Sequence, residues 1–204
     1  MFFRILIALL IGLPLGAWSA NRMIRAEHGF GVLTMGQWAA RPREGSAEAD
    51  PYSQARLAVE GFVPLGAAEG VAFEARTDAE GRPLRRDCNY TLRGEVPRAR
   101  AWTLAAYPAH AGQLGAIVPG PGGEPAVATS TAMLRAAEEP FTLAVGPLAA
   151  GGNWLPLAAP RAGRSARDIR LVLRLYDTPV STNAEFLNPA VPTILRGPCL
   201  GTGG

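Results

Sequence analysis

The chain has only two cysteines and two histidines, the side chains most apt for nucleophilic or zinc-type chemistry: Cys88, Cys199, His28 and His110. A structural zinc site needs four ligands, with pairs at short spacings. The cysteines lie 199 − 88 = 111 positions apart, so no metal site is expected. The chemistry that suits such a pair is a disulfide. Closing a loop of this length restricts the unfolded chain by about 4–5 kcal/mol in the chain-entropy view. It would also tie down a glycine-rich tail that otherwise frays. Two separate buried thiols are the alternative, since free cysteine is commonly buried.

Other catalytic constellations are sparse. No serine sits in a G-x-S-x-G elbow, and a Ser–His–acid triad could draw only on His28 or His110. Carboxylates that could work in pairs are Asp87, Glu95, Glu138, Glu139 and Glu185, with nothing in their spacing to select two. "PGPGGEP" (119–125) lacks the Lys-Ser/Thr of a phosphate-binding P-loop and reads as a turn. In "GGNWLPLAAP" (151–160), Asn153 and Trp154 are the candidate ligand-binding pair, a polar amide beside an aromatic platform for a sugar ring. The competing reading makes this stretch a loop entering an edge strand, with Trp154 plugging the end of the fold.

The charge pattern narrows the partners. All 20 basic residues are arginine, set against 17 acidic ones, for a net charge of +3. The absence of lysine fits the codon usage of a GC-rich genome. The functional reading is an arginine-lined anion site, because arginine grips carboxylate or phosphate bidentately. No basic run exceeds two residues (Arg85 and Arg86), which argues against nucleic acid as a partner.

The elements that would position these residues begin at the N-terminus. Residues 5–21 carry no charge, a run of 17 that is long enough to span a membrane if Phe2 and Phe3 extend it. Trp18 stands at an interfacial position. We read residues 1–21 as a transmembrane anchor; a cleaved secretory signal is the alternative, with small residues at Ala17 and Ser19. Residues 22–49 read as a stalk and residues 50–204 as the folded domain. No cofactor is expected.

Within the domain, Asp50, Pro51 and Gly61 bracket a short helix as N-cap, first turn and C-terminal stop. From residue 71 onward the period shifts to two. "VAFEARTD", "CNYTLRG", "AWTLAAY" and "RDIRLVLRLYD" alternate apolar with polar positions, and Ile169, Leu171, Leu173 and Leu175 line one face of the last. Shorter candidate strands lie at 115–118, 126–129, 141–145 and 191–195. With 24 glycines and 18 prolines marking the turns, this predicts a mainly β domain: an antiparallel β-sandwich of jelly-roll type with one or two short helices.

The stretches "GQW" (36–38), "DPYSQARLA" (50–58), "PLGAAEGVAFEARTD" (64–78), "GRPL" (81–84), "CNYTLRG" (88–94), "ARAWTLAAY" (99–107), "GNWLP" (152–156), "LVLRLYDTP" (171–179) and "PTILRGPC" (192–199) together resemble a bacterial family, domain of unknown function 1214. That resemblance implies a β-rich, jelly-roll-like fold. In longer members the domain follows another uncharacterised one, number 1254, and this chain is similar to the short membrane-associated members. The resemblance implies no activity. The expectation is a single-pass protein of a bacterial inner membrane, its domain in the periplasm, or secreted there if the leader is cleaved. It would be a non-catalytic binding or scaffolding protein of the envelope, with a glycan, lipid or envelope-protein ligand. The alternative is an envelope enzyme acting on carbohydrate or another polar substrate.

Overall fold

A computed structural model describes residues 1–24, 31–61, 64–66, 68–109, 116–134, 140–160, 168–178 and 189–200. The first element, α1 (Phe2–Ile24), is 23 residues long and none of them is buried. It is long and apolar enough to cross a membrane by length and composition.

The domain is mainly β. A six-stranded sheet has the order β1 (Leu33–Met35), β2 (Trp38–Ala40), β3 (Gly70–Ala75), β9 (Ile169–Tyr176), β5 (Ala101–Pro108), β6 (Val127–Thr129). A four-stranded sheet has the order β10 (Thr193–Cys199), β4 (Cys88–Gly94), β7 (Phe141–Gly146), β8 (Trp154–Pro156). Their inner faces share one core. Phe73, Trp102, Leu104, Leu171, Leu173 and Leu175 from the large sheet meet Tyr90, Leu92, Leu143, Val145 and Ile194 from the small one. These are the inward positions of the sequence alternation. All described strand pairs are antiparallel except β7 with β8, so the small sheet is mixed. β8 is reached by a loop through Asn153 that carries the chain back to run alongside β7.

The helix expected after Asp50 is present as α2 (Pro51–Glu60). The Asp50 carboxylate accepts hydrogen bonds from the Tyr52 and Ser53 amides at 3.0 and 3.1 Å, and Gly61 ends the helix in the left-handed region at φ 62°.

Residues 33–40 correct the reading of 22–49 as a stalk. They form a β1–β2 hairpin turning on Gly36 at φ 57°, and β2 pairs with β3 in the large sheet. Trp38 is fully buried, and its Nε1 donates across the core to the Pro192 carbonyl at 2.7 Å. A hairpin of two three-residue strands gives no alternation to read; its burial comes from the sheet it joins. A second correction concerns β9. Its alternation reads as a half-buried strand with Arg170, Val172, Arg174 and Tyr176 on the second face, yet Arg170 and Val172 are buried as well as the inward leucines. β9 is central, between β3 and β5, and on its outer side Val172 packs with Ala105 and Tyr107.

At residues 78–84 the expected turn is held by the Asp78 side chain, which accepts from the Glu80 and Arg82 amides at 3.0 Å each. The 119–125 stretch is likewise a turn, with Gly120 N donating to Glu124 O at 2.7 Å. Cys88 and Cys199 are joined in a disulfide that bonds β4 to β10, where the two residues face each other in the register. Among the described residues no cysteine is free.

Two substitutions test this packing. A methyl group added at Gly70 would strike the Leu175 carbonyl in the neighbouring strand β9. Gly70→Ala is therefore expected to cost about 1–3 kcal/mol, read as a lowered urea midpoint. Cys199→Ser opens a 111-residue loop and should cost roughly 4–5 kcal/mol by the same measurement under non-reducing conditions.

Candidate functional site

The charged residues of the domain gather in two places, and strand register explains both. The first is the outer face of the large sheet. Because β9 alternates, Arg170, Val172 and Arg174 point away from the leucine core, and register sets Arg170 opposite Tyr107, Val172 between Glu74 and Ala105, and Arg174 between Ala72 and Thr103. Ala105, Tyr107 and Val172 form a small apolar cluster of their own on this face. The Tyr107 ring, only 6% exposed, lies between two guanidinium groups, 5.9 Å from that of Arg170 and 5.4 Å from that of Arg174. Its hydroxyl accepts a hydrogen bond from Arg174 Nη1 at 2.9 Å. Arg170, 4% exposed, reaches Glu74 Oε1 at 3.5 Å, and Arg76 Nη2 reaches the same oxygen at 2.6 Å. Arg76 Nη1 also donates to the Ala109 carbonyl at 2.8 Å.

Beside this cluster the outer face is hollow. Across β1, β2 and β3 the register places Thr34, Ala39 and Glu74 in one row. The small Ala39 side chain leaves a cleft of about 190 Å³ walled by Thr34, Gln37, Arg41, Glu74 and Arg76. Arg41 and Glu74 also border a narrower neighbouring cleft, where Arg56 of α2 pairs with Glu44. Arginine forks and a carboxylate on a rigid sheet can hold charge in place; guanidinium groups do not exchange protons at neutral pH.

The second cluster sits where the 78–84 turn meets β10. Asp78 is 1% exposed; besides its two backbone donors it accepts a hydrogen bond from Arg82 Nε at 2.9 Å and is ion-paired with Arg196, whose Nε lies 3.0 Å away. Burial by itself would raise the Asp78 pKa; the backbone and side-chain hydrogen bonds from Arg82, the Glu80 amide and the charge of Arg196 outweigh it and hold the carboxyl below its ordinary 3.8. Arg196 also lies over the Tyr90 ring at 5.6 Å and donates to the Pro83 carbonyl and, at 3.3 Å, to the Tyr90 hydroxyl. That hydroxyl accepts from Arg85 N at 2.7 Å, and burial pushes the phenol up. Asp87 is gripped by Arg85 through both carboxylate oxygens. This assembly is a clamp, with its polar groups facing one another.

The residues singled out in the sequence fall as follows. Asn153 Oδ1 accepts from Leu134 N at 2.8 Å, while its Nδ2 donates to Leu134 O at 2.8 Å and Thr142 O at 3.2 Å. Its amide holds the 133–134 segment against β7. Trp154 is half-buried and donates from Nε1 to Gly146 O at 3.2 Å; alternation puts Leu155 in the core and Trp154 on the outer face of the small sheet. Asn153 and Trp154 thus adjoin in the chain; Asn153 binds the backbone of Leu134 and of Thr142 in β7, and Trp154 that of Gly146 in β7. Asp87 belongs to the clamp. His28, His110, Glu138, Glu139 and Glu185 lie outside the described residues. The outer-face cluster was visible in the sequence only as alternating arginines in β9, a pattern that a solvated face shares. Val172 and Ala105, apolar at outward positions, were the signal that the face is covered.

Fold and site together define a two-sheet sandwich carrying an arginine-rich cluster on one outer face. Residues 69–180 match the family described as protein of unknown function (DUF1214), and with more than half of its length matched the chain belongs to that family. The matched segment contains Glu74, Arg76, Asp78, Tyr107, Arg170 and Arg174; Trp38, Arg41, Arg196 and Cys199 lie outside it. Among solved structures, the VPA0106 protein from Vibrio parahaemolyticus is similar at 14% identity and a TM-score of 0.48, over 72% of this chain and 36% of that one. An uncharacterised protein from Burkholderia cenocepacia is similar at 13% identity and a TM-score of 0.43, over 97% of this chain and 53% of that one. The chain therefore spans about a third and about half of their lengths. No curated protein matches the sequence.

The Asp78 clamp carries a pH prediction. A carboxyl whose native pKa is lowered stabilises the fold fully above its unfolded value near 3.8, and that contribution fades as pH falls through the native value. Asp78→Asn should cost about 2–4 kcal/mol at neutral pH, by loss of charge opposite Arg82 and Arg196. In urea melts the gap between the parent and this variant should narrow steadily below pH 4. A gap that is constant with pH would mean that the charge of Asp78 does not stabilise the fold.

Proposed function

We propose that this chain is a membrane-tethered binding module of the bacterial envelope, held by α1 with its sandwich in the periplasm. The observation that carries the reading is the combination of an apolar helix with no buried residue and a disulfide between neighbouring strands of the small sheet in the same chain. Large apolar side chains from Phe2 to Met23 are exposed along α1, a surface that lipid solvates and water does not. Disulfides persist in the periplasm and are kept reduced in the cytosol. Binding in place of catalysis fits the larger cleft, whose cationic groups are guanidinium forks suited to recognition. The ligand would come from the envelope itself: a glycan, a lipid or another envelope protein. The alternative, an envelope enzyme acting on carbohydrate or another polar substrate through Asn153 and Trp154, draws no support from an Asn153 amide already engaged by three backbone groups.

Topology is the test. With an epitope at the C-terminus of the full chain, protease added to intact spheroplasts should remove the epitope, and the protein should stay in the membrane pellet after alkaline carbonate extraction. An epitope protected until the cells are lysed would put the sandwich in the cytoplasm and end the proposal. Recovery in the soluble periplasmic fraction, shortened by the leader, would end the tether alone.

A further inference from the structure

We propose that α2 is an interfacial helix: its outward stripe lies in the headgroup layer of the bilayer that α1 enters and seats the sandwich on lipid. This rests on the membrane-tether reading above and names the surface against which the tethered domain is held.

Three observations point there. The first is that α2 is turned inside out for a helix on a water-soluble domain. At about 100° per residue, Pro51, Tyr52, Gln54, Ala55, Ala58 and Val59 share one side, and all but the half-buried Ala55 are exposed. Apart from Gln54 that side is apolar or, at Tyr52, aromatic; Tyr52 is 43% and Val59 50% exposed. Besides Leu57, the side turned to the domain carries polar groups. Arg56 pairs there with Glu44, and the Ser53 hydroxyl donates to Asp50 at 2.6 Å. An amphipathic helix in water places its apolar stripe on the core. The reversed order suits a helix with lipid on its outer side.

The second is the place where the two helices meet. α1 and α2 approach each other, and within α1 partial burial is confined to Ala20 and Ile24, one turn apart on one face. The contact therefore lies at the C-terminal end of α1, where the uncharged run stops. Trp18 and Arg22 stand at that level, the guanidinium 5.4 Å from the indole centroid. A tryptophan beside an arginine at the end of an apolar helix marks the headgroup layer. Held against this end, α2 is at the depth of that layer, and Tyr52 is an aromatic residue of the kind enriched there.

The third is size. A ten-residue helix is about 15 Å long and about 10 Å wide, so its outward stripe covers on the order of 150 Å². A stable protein interface takes about 800 Å² from each partner. The stripe is too small to hold a second protein by itself. A bilayer asks for no such area, because α1 keeps α2 at the surface and makes the contact intramolecular. Arg56 borders the narrow cleft with Ala39, Glu74 and Val172, so α2 lies on the outer side of the large sheet. Seated this way, the domain turns its large sheet toward the membrane and the outer face of the small sheet, with Arg93, away from it.

The experiment uses the full chain in nanodiscs of phosphatidylcholine and phosphatidylglycerol, under non-reducing conditions. With Cys88 and Cys199 bridged, one introduced thiol takes a nitrobenzoxadiazole label, at Val59→Cys, at Arg93→Cys or, within α1, at Leu10→Cys. Iodide reports exposure to water, and doxyl-labelled lipid reports contact with the bilayer. The iodide quenching constant at Val59→Cys should be about threefold or more below that at Arg93→Cys, as for a stripe sunk into the interface. Doxyl lipid should quench Val59→Cys and leave Arg93→Cys bright. Adding Tyr52→Asp, a charge that the first turn of α2 accommodates, should open Val59→Cys to iodide without changing Leu10→Cys. If Val59→Cys is as open to iodide as Arg93→Cys while lipid quenches Leu10→Cys, the proposal is overturned and the tether stands. Shielding of Val59→Cys from iodide without quenching by lipid means that protein, such as a second copy, covers the stripe, and overturns it too. Leu10→Cys left unquenched by lipid would remove the tether, and this proposal with it.

Discussion

The sandwich depends on how its last strand is fastened. β10 is an edge strand, and in isolation an edge pairing of this length is marginal. Here it is bonded to β4 at one end by the Cys88–Cys199 disulfide, and toward the middle Arg196 reaches the buried Asp78 carboxylate. Just before the strand begins, the Pro192 carbonyl takes the Trp38 N–H from the opposite sheet. Ile194, fully buried, is its main apolar contribution to the core. Covalent, ionic and hydrogen-bonded ties therefore converge on one short segment. Each holds a different part of the chain: the start of β4, the 78–84 turn and the β1–β2 hairpin. Releasing β10 would expose Tyr90 and Leu92 and leave Asp78 with fewer cations around its charge.

This arrangement also separates the two polar clusters by role. Around Asp78 the charges face one another and are consumed in closing the fold; a buried carboxylate tolerates its burial only through such compensation. On the outer face of the large sheet the balance is different, with more guanidinium than carboxylate among the described residues. The Tyr107 ring between Arg170 and Arg174 gives those cations a partly apolar setting, which arginine accepts more readily than lysine because its charge is delocalised and weakly hydrated. A chain whose every cation is arginine is well suited to this.

Much of this was legible in the sequence because it is local. Asp50, Pro51 and Gly61 mark α2 by capping chemistry that acts within a few residues. The alternation in β4, β5 and β9 separates the inward side chains without reference to any partner strand, and the cysteine pair gave the bridge. What escaped reading is set by tertiary pairing. β1 and β2 have three residues each, too few for a period to show, and their strand character comes from the neighbours they join. The covered outer face of β9 escaped for a related reason: Arg170 and Arg174 look solvent-directed in sequence, and only register brings Glu74 and Tyr107 to meet them. Asn153 was visible as a polar residue in a glycine-rich loop, but its partners, Leu134 and Thr142, are distant in sequence.

The proposed periplasmic placement and the closure of the domain both depend on an oxidised Cys88–Cys199 bridge. The measurement to make is the intact mass of the full chain isolated from membranes and alkylated in denaturant before and after reduction. No thiol adduct is expected before reductant, and two after it. Two adducts without reductant would show that Cys88 and Cys199 are free thiols in the cell, and would contradict both the closure and the compartment.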